Sequence, residues 1–287
     1  MIVLQVLING LLTGGIYSLI SVGLALILGT MRIINIFHGE LLMMAMYLTY
    51  WLYLYIHLDP YVSVLITAPV LFGFGYVMQR VLINRVLAQP EVNQVLLTLG
   101  ISMALINLFQ LFFSPTYRQV RTGYSTAVLA FADVRISIPY TISFMLAFAF
   151  TFLLYSFLIR TFPGKAIRAT AQDRQAAVMM GVNIATVNAI SFGIGAALAA
   201  AAGSLLVPIY YIFPGVGFPF AIKAFVVVVL GGMGSVVGAA LGGIIFGVVE
   251  ALGSFFISTR YTDAIGLLIF IVILLVRPAG LFGRSRV

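Results

Sequence analysis

Long apolar runs separated by short polar breaks fill this chain from end to end. A membrane-crossing helix needs about 20 mostly apolar residues. Runs of that kind occupy 6–29, 36–57, 61–79, 95–113, 138–159, 187–207, 217–233, 236–257 and 262–276. The pattern predicts an all-α fold, a polytopic transmembrane helix bundle of 8–9 membrane segments. The seventh run decides between the two counts. Its apolar core, Ala224 to Leu230, is short and ends in Gly231-Gly-Met-Gly-Ser235, a breaker cluster suited to a half-helix or a re-entrant segment. Met1-Ile-Val-Leu-Gln5 carries no basic n-region ahead of the first run, which is therefore expected to be a retained span. No soluble domain or internal repeat interrupts residues 1–287, so they are expected to form a single transmembrane domain.

Composition closes off other classes. With 63% hydrophobic and 8% charged residues the chain is not a soluble globular domain, whose charged share is about a quarter. The formal charge of +8 admits anionic partners, but the basic residues fall between the runs, where they orient a protein in its membrane. An outside N-terminus and nine spans put Arg32, Arg80, Arg85, Arg160, Lys165, Arg168, Arg174, Arg277, Arg284 and Arg286 inside. Arg118, Arg121, Arg135 and Arg260 fall outside, a ten-to-four bias in the expected direction. Lys223 is placed near the outer end of the seventh span, where its stem can snorkel. Membrane lipid, and no nucleic acid, is the implied surrounding. The absence of cysteine removes disulfides and thiolate chemistry, and two histidines alone argue against a metal site.

Four polar features stand out. The longest is the island from Thr161 to Asn183, in which Pro163 and Gly164 end the fifth span and Lys165 to Met180 reads as a helix stopped at Gly181. Small residues such as Ala166, Ala169, Ala176 and Ala177, with Arg168, Asp173 and Arg174, suit a surface that docks on a partner. An amphipathic helix resting on lipid explains the same residues. Second, Asn35-Ile-Phe-His38-Gly39-Glu40 opens the second span and is expected at its inner mouth. Glu40 pairs with Arg32 on this reading, and the turn is either a gate or a plain helix start capped by Asn35. Third, Gly231, Gly232, Gly234 and Ser235 either line a pathway with exposed backbone or form a hairpin turn. Gly238, Gly242, Gly243 and Gly247, and the alanine-rich stretch Gly195 to Gly203, predict close helix packing. Fourth, Glu250 lies well inside a late span and is expected to hydrogen-bond neighbouring Ser, Thr or Tyr groups rather than carry protons. The aromatic, uncharged loop 208–219 is expected on the outer face.

These residues carry a resemblance. The stretch Gly164-Lys-Ala-Ile-Arg-Ala-Thr-Ala-Gln-Asp-Arg-Gln-Ala-Ala-Val-Met-Met-Gly-Val-Asn183 resembles the ATPase-contacting loop of branched-chain amino-acid ABC transporter permeases of the LivH type. Asn9-Gly-Leu-Leu-Thr-Gly-Gly-Ile-Tyr-Ser-Leu19, Ile34-Asn-Ile-Phe-His-Gly-Glu40, Val228-Val-Leu-Gly-Gly-Met-Gly-Ser-Val-Val-Gly238 and Arg277-Pro-Ala-Gly-Leu-Phe-Gly283 agree with that family in the same order. The resemblance implies a permease subunit in the bacterial inner membrane, with a periplasmic N-terminus and a cytoplasmic C-terminus. Its partners would be a second homologous permease, two cytoplasmic ABC ATPases and a periplasmic binding protein. Segment 160–183 would then be the coupling element, through Gly164, Lys165, Arg168, Ala169, Asp173, Arg174, Ala176, Gly181 and Asn183. Asn35, His38, Gly39, Glu40, Gly231, Gly232, Gly234 and Ser235 would be the candidate gate or pathway. No Gly-x-x-x-x-Gly-Lys-Ser/Thr loop is present, so ATP would be bound by partner chains, and this subunit would be no enzyme and hold no cofactor. Cargo would be a branched-chain amino acid or a related small polar solute. A stand-alone channel or secondary carrier, for urea as an example, is the rival reading and leaves the 164–183 island unexplained. An intramembrane protease would need a nucleophile and base at common depth, and neither His38 nor His57 is expected there.

Overall fold

The computed structural model describes residues 2–131, 134–258, 262–277 and 280–282. Each of the nine apolar runs is helical. In chain order the elements begin with α1 (Ile2–Met31), α2 (His38–Ile56), α3 (Val64–Met78), a π-helical turn Gln79–Ile83, α4 (Asn84–Val86) and α5 (Glu91–Phe113). Next come β1 (Val128–Phe131), β2 (Val134–Ser137), α6 (Ile138–Arg160), α7 (Phe162–Gln172), α8 (Arg174–Met179) and α9 (Ile184–Leu206). The chain ends with α10 (Gly217–Gly231), α11 (Val236–Phe256) and α12 (Thr262–Val276). Among the described residues, α1, the α3–α4 stretch, α5, α6, α9 and α11 are long and apolar enough to cross a membrane. The chain is thus an all-α, multi-pass membrane protein. The antiparallel β1–β2 hairpin was not foreseen, because its strands are too short to show among the apolar runs. Arg260, Arg284 and Arg286, used in the charge count, lie outside the described residues.

Helix α1 is the spine, buried on all sides from Gly14 to Met31 apart from Gly29. At about 1.5 Å per residue its 30 residues span roughly 45 Å. Leu, Ile and Val gain little by leaving lipid for protein, so helices in a bilayer associate through close backbone approach and internal hydrogen bonds. Both are present here. A Cβ at Gly243 or Gly247 of α11 would overlap Ser18 or Gly14 of α1, and Ser18 Oγ donates to the Ala240 carbonyl at 2.6 Å. On the other side Gly195 of α9 lies against Gly23 and Ile27, and Gly203 against the Leu42 carbonyl of α2. The packing expected of the glycine spacings is therefore observed. A hydroxyl ladder adds to it: Thr49 donates to Ser204 at 2.8 Å, Thr67 is 2.8 Å from the same oxygen, and Ser63 donates to Thr49 at 3.1 Å. These four residues tie α2 and α3 to α9 and are fully buried.

Helix α5 lies at the periphery with an inverted pattern. Its fully buried positions, Gln94, Thr98 and Ser102, are one polar stripe four residues apart; Ile101, Leu105, Phe109 and Phe113 pack beside it, and Val92, Leu96, Met103, Leu108, Leu111 and Phe112 face outward. That arrangement suits a helix whose outside is hydrocarbon and whose inside meets polar groups. At the hairpin end of the bundle the connecting loops are laced together. Tyr124 donates to Asp59 Oδ2 at 2.6 Å and stacks on Tyr61 at 5.5 Å, while Arg118 and Ile212 exchange backbone hydrogen bonds at 2.8 and 2.9 Å. Burial, reinforced by the Asp59 carboxylate, pushes the Tyr124 hydroxyl well above its ordinary pKa and keeps it a donor.

Gly243→Val tests the α1–α11 contact. Overpacking at a backbone-to-backbone seam costs about 1–3 kcal/mol or more. The detergent-solubilised variant is expected to melt several degrees below the wild type, whereas Gly100→Val, at a site with no atom near an added Cβ, is expected to melt with it.

Candidate functional site

The polar island is two helices, not the single one expected. Thr161 caps α7 by accepting from Gly164 N at 3.1 Å, with Pro163 in the first turn. Asp173 takes extended backbone angles, ends α7 and caps α8, its Oδ1 accepting from Gln175 N and Ala176 N at 2.9 and 3.0 Å. The break exists because this carboxylate offers the amides two and three residues on a better partner than a continued helix would. Gly181, at φ +80°, closes α8: its N–H donates to the Val178 carbonyl and Val182 N–H to that of Ala177, a Schellman pattern. Asn183 caps α9 through Thr186 N at 3.1 Å.

The segment is bolted down. A Cβ at Gly164 would overlap the Phe157 carbonyl, so α7 turns back tightly on α6, and Arg168 Nε donates to the Leu158 carbonyl at 2.9 Å. Gly164, Ile167 and Thr170 face inward, and α7 contacts α6, α9 and α1. Lys165, Ala169, Arg174 and Ala176 are exposed, and Met179 and Met180 project at 85% and 84% exposure. Arg168, which bonds to α6, and Asp173, which caps α8, are also exposed. Arg174 and the methionine tip belong to the same exposed surface.

The start of α2 departs most from expectation. Arg32, at φ +55°, reverses the chain, and Ile33, Asn35 and Phe37 are buried while Arg32 and Ile34 between them are exposed. That alternation is extended chain re-entering the bundle. His38 Nε2 then lies 3.1 Å from the Ile20 carbonyl, and Gly23 lies beside the same ring. Ile20 and Gly23 are eleven and eight residues from the end of α1, so His38 sits about 12–17 Å inside that end. It is not at the mouth of the second span, and the premise that His38 lies far from mid-depth is corrected. Asn35 is not the cap either: Phe37 occupies that position and offers no side-chain bond. Glu40 makes no pair with Arg32. Neither of its carboxylate oxygens has a hydrogen-bond partner, Ser102 of α5 being its polar neighbour.

Gly231, Gly232, Gly234 and Ser235 are at a different depth. Gly231 and Gly238 touch through their backbones, Gly232 and Gly234 have positive φ, and Ser235 caps α11 through Gly238 N at 3.0 Å. The turn packs on Gly29 of α1, and Leu281 N donates to the Leu230 carbonyl at 2.7 Å. It forms the α10–α11 hairpin beside the end of α1, away from Gly39. Glu250 does not rely on hydroxyl groups alone: Lys223 Nζ is 2.6 Å from its Oε1 and 3.2 Å from Tyr17 Oη. Lys223 therefore turns into the bundle instead of snorkelling outward. Sequence reasoning also passed over Gln79, Asn188 and Ser191, buried with unpartnered polar atoms on the π-turn and α9. Their signal was available: each is polar at a buried register of an otherwise apolar run.

A multi-pass helical bundle with half-depth helix starts, a buried polar interior and a rigid amphipathic element at one end has the architecture of a membrane permease. The chain belongs to the family described as "Branched-chain amino acid transport system / permease component", which matches residues 6–275. It is 34% identical over 297 residues to the high-affinity branched-chain amino acid transport system permease protein BraD of Pseudomonas aeruginosa, covering 99% of this chain and 97% of the relative. It is 32% identical over 307 residues to the corresponding LivH protein of Escherichia coli, covering 99% and 96%. A probable LivH of Methanocaldococcus jannaschii is 27% identical over 298 residues, covering 97% and 92%. No solved structure matches the chain.

Lys223→Met strands the Glu250 carboxylate in the bundle and is expected to cost about 3 kcal/mol, the low end for a broken buried pair because the lysine is partly exposed. Replacing both residues by Met is expected to recover most of that loss in thermal melts, so a double variant as unstable as the single one contradicts the pairing account.

Proposed function

We propose that this chain is the membrane-spanning permease subunit of an ABC importer that carries branched-chain amino acids, or a related small polar solute, into the cytoplasm. Family membership and full-length similarity to proteins named for that transport support the reading. The observation that carries it is the α7–α8 element. Capped at each junction and pinned to α6, α9 and α1, it can transmit a push from outside the bundle instead of yielding to it. Its exposed tip, Arg174 with Met179 and Met180, has the mixed basic and apolar character of a docking knob. A lipid-lying helix would be expected to carry a continuous apolar face, whereas here the inward face of α7 is spent on the protein.

On this reading the end carrying Arg32, Arg160 and α7–α8 is cytoplasmic, the N-terminus is periplasmic, and the membrane is the bacterial inner membrane. The bundle counts 8–9 segments, α10 being a re-entrant half-helix or the ninth. Two ABC ATPases dock on α7–α8 of this chain and of a second homologous permease, and bind the ATP. A periplasmic binding protein delivers cargo to the laced loops around Tyr124 and Arg118. Free energy enters only through differential contact: the ATPases must hold one conformation of α7–α8 more tightly than the other, since equal affinity shifts nothing. Gly164, Lys165, Arg168, Ala169, Asp173, Arg174, Ala176, Gly181 and Asn183 build or present the coupling element.

Proteoliposomes holding the full complex, with binding protein outside and ATP inside, are expected to accumulate labelled leucine. Uptake by this chain without ATPases or ATP refutes the importer reading in favour of a channel or secondary carrier. Arg174→Glu combined with Met179→Ser is expected to reduce ATPase co-purification or uptake at least tenfold while the permease stays monodisperse. Unchanged association and unchanged uptake would remove α7–α8 from the coupling path.

A further inference from the structure

Three consecutive residues at the start of α2 face three different parts of the bundle. His38 lies against Ile20 and Gly23 of α1, Gly39 against Gly217 of α10, and Glu40 beside Ser102 of α5. The Gly39–Gly217 contact is between backbones: a Cβ on either glycine would overlap the carbonyl of the other. Gly217 is the first residue of α10, reached by a loop whose Val207, Ile212 and Val216 are buried. Two helices therefore begin inside the bundle, first turn against first turn, at the depth of Ile20. Each brings the positive end of a helix dipole to that point, together with its first two N–H groups, those of His38 and Gly39 and of Gly217 and Phe218; Glu40 and Leu41 N–H already donate to the Phe37 carbonyl, and Pro219 has none.

The side chains there are unfinished. Glu40 is 1% exposed and Asn35 4%, and neither has a hydrogen-bond partner for any side-chain polar atom. His38, fully buried, has Nδ1 unpartnered. Glu250, the comparable acid in α11, is compensated by Lys223 at 2.6 Å, whereas no cation of the chain pairs with Glu40 among the described residues. A buried carboxylate without a cation is expensive and marks a functional position inside a membrane. Ser102 is its polar neighbour, and a positive group from outside the chain would complete the site. Unbonded helix-start amides ask for the opposite charge.

We infer that the facing starts of α2 and α10 form the cargo-binding constriction in its closed form, with Glu40, on the α5 side of that contact, accepting the ammonium group of a zwitterionic α-amino acid. The first-turn amides face its carboxylate, the arrangement by which half-helices at mid-membrane hold such groups. Separation of Gly39 from Gly217 opens the passage, and glycine at both positions lets the two backbones close without a side chain between them. This inference rests on the importer reading and gives it a cargo contact.

The test uses the complete transporter with its binding protein in proteoliposomes, with labelled leucine as probe. Glu40→Gln is expected to lower uptake at least tenfold at subsaturating leucine-loaded binding protein while ATPase subunits still co-purify and ATP hydrolysis continues. Glu40→Asp is expected to recover part of the uptake with a raised KM. Uptake by Glu40→Gln within twofold of wild type overturns the inference and leaves the importer reading standing; a wild-type complex that transports nothing removes both. Should Glu40→Gln fail to assemble, the wild-type complex decides. An apolar carbodiimide is expected to label Glu40 during turnover, severalfold less with saturating leucine-loaded binding protein, as read by peptide mass spectrometry. No labelling, or labelling indifferent to leucine, overturns the inference.

Discussion

Close backbone approach to α1 is the contact on which the remaining structure rests. Lipid offers no hydrophobic penalty that would press these helices together, so they are held where glycine and alanine let carbonyls and Cα atoms meet. Gly14 and Ser18 seat α11, Gly23 seats α9, and Gly29 seats the turn between α10 and α11. One helix of about 45 Å therefore fixes the height of every inner element. The His38 ring lies beside the same Gly23 that lets the Gly195 carbonyl of α9 come close to α1.

That fixed scaffold tolerates irregular backbone where a bilayer otherwise forbids it. Residues 33–37 and 207–216 are not helical, yet each dips into the bundle with alternate side chains buried. Most of both segments is covered by protein, and the latter exchanges backbone bonds with Arg118. Unwound chain at membrane depth is sustained only against protein or a polar passage. Here both segments lead into a helix start, so the two irregular stretches and the two half-depth starts are one feature.

Much of this was legible in the residues. Nine apolar runs marked nine helices within a few positions, and the glycine spacings of α11 marked its seam with α1, because run length and small-residue spacing are local properties. The short core and glycine stop of α10 already raised a half-helix. Other features were hidden for the same reason. The break at Asp173 depends on a carboxylate choosing amides two and three residues on over continued helix, and Ala-rich sequence on both sides masks it. The pairing of Lys223 with Glu250 joins residues on two helices of a hairpin, and their separation of 27 positions gives no periodic signal. The depth of His38 escaped because 36–57 is one apolar run: nothing in hydropathy separates a non-helical stretch and turn re-entering the bundle from a first helical turn at its mouth.

On the importer reading, a push on α7–α8 would reach the proposed constriction through α9. Helix α7 contacts α6, α9 and α1, and Asn183 leads directly from α8 into α9. Along α9, Gly195 touches Gly23 beside the His38 ring, Phe192 packs on Phe37 at 5.7 Å between ring centres, and Gly203 meets the Leu42 carbonyl. Displacement of α7–α8 would therefore move α9 against α1 beside the His38 ring and against two points at the start of α2, Phe37 and Leu42. Interdigitated interiors do not stretch to absorb such a shift; they repack between discrete arrangements. The Gly39–Gly217 contact is suited to such switching because, lacking side chains, it can part without first withdrawing a knob from a hole. A larger residue at either position would turn the closing surface into a wedge, which is the physical reason for glycine on both sides of the seam.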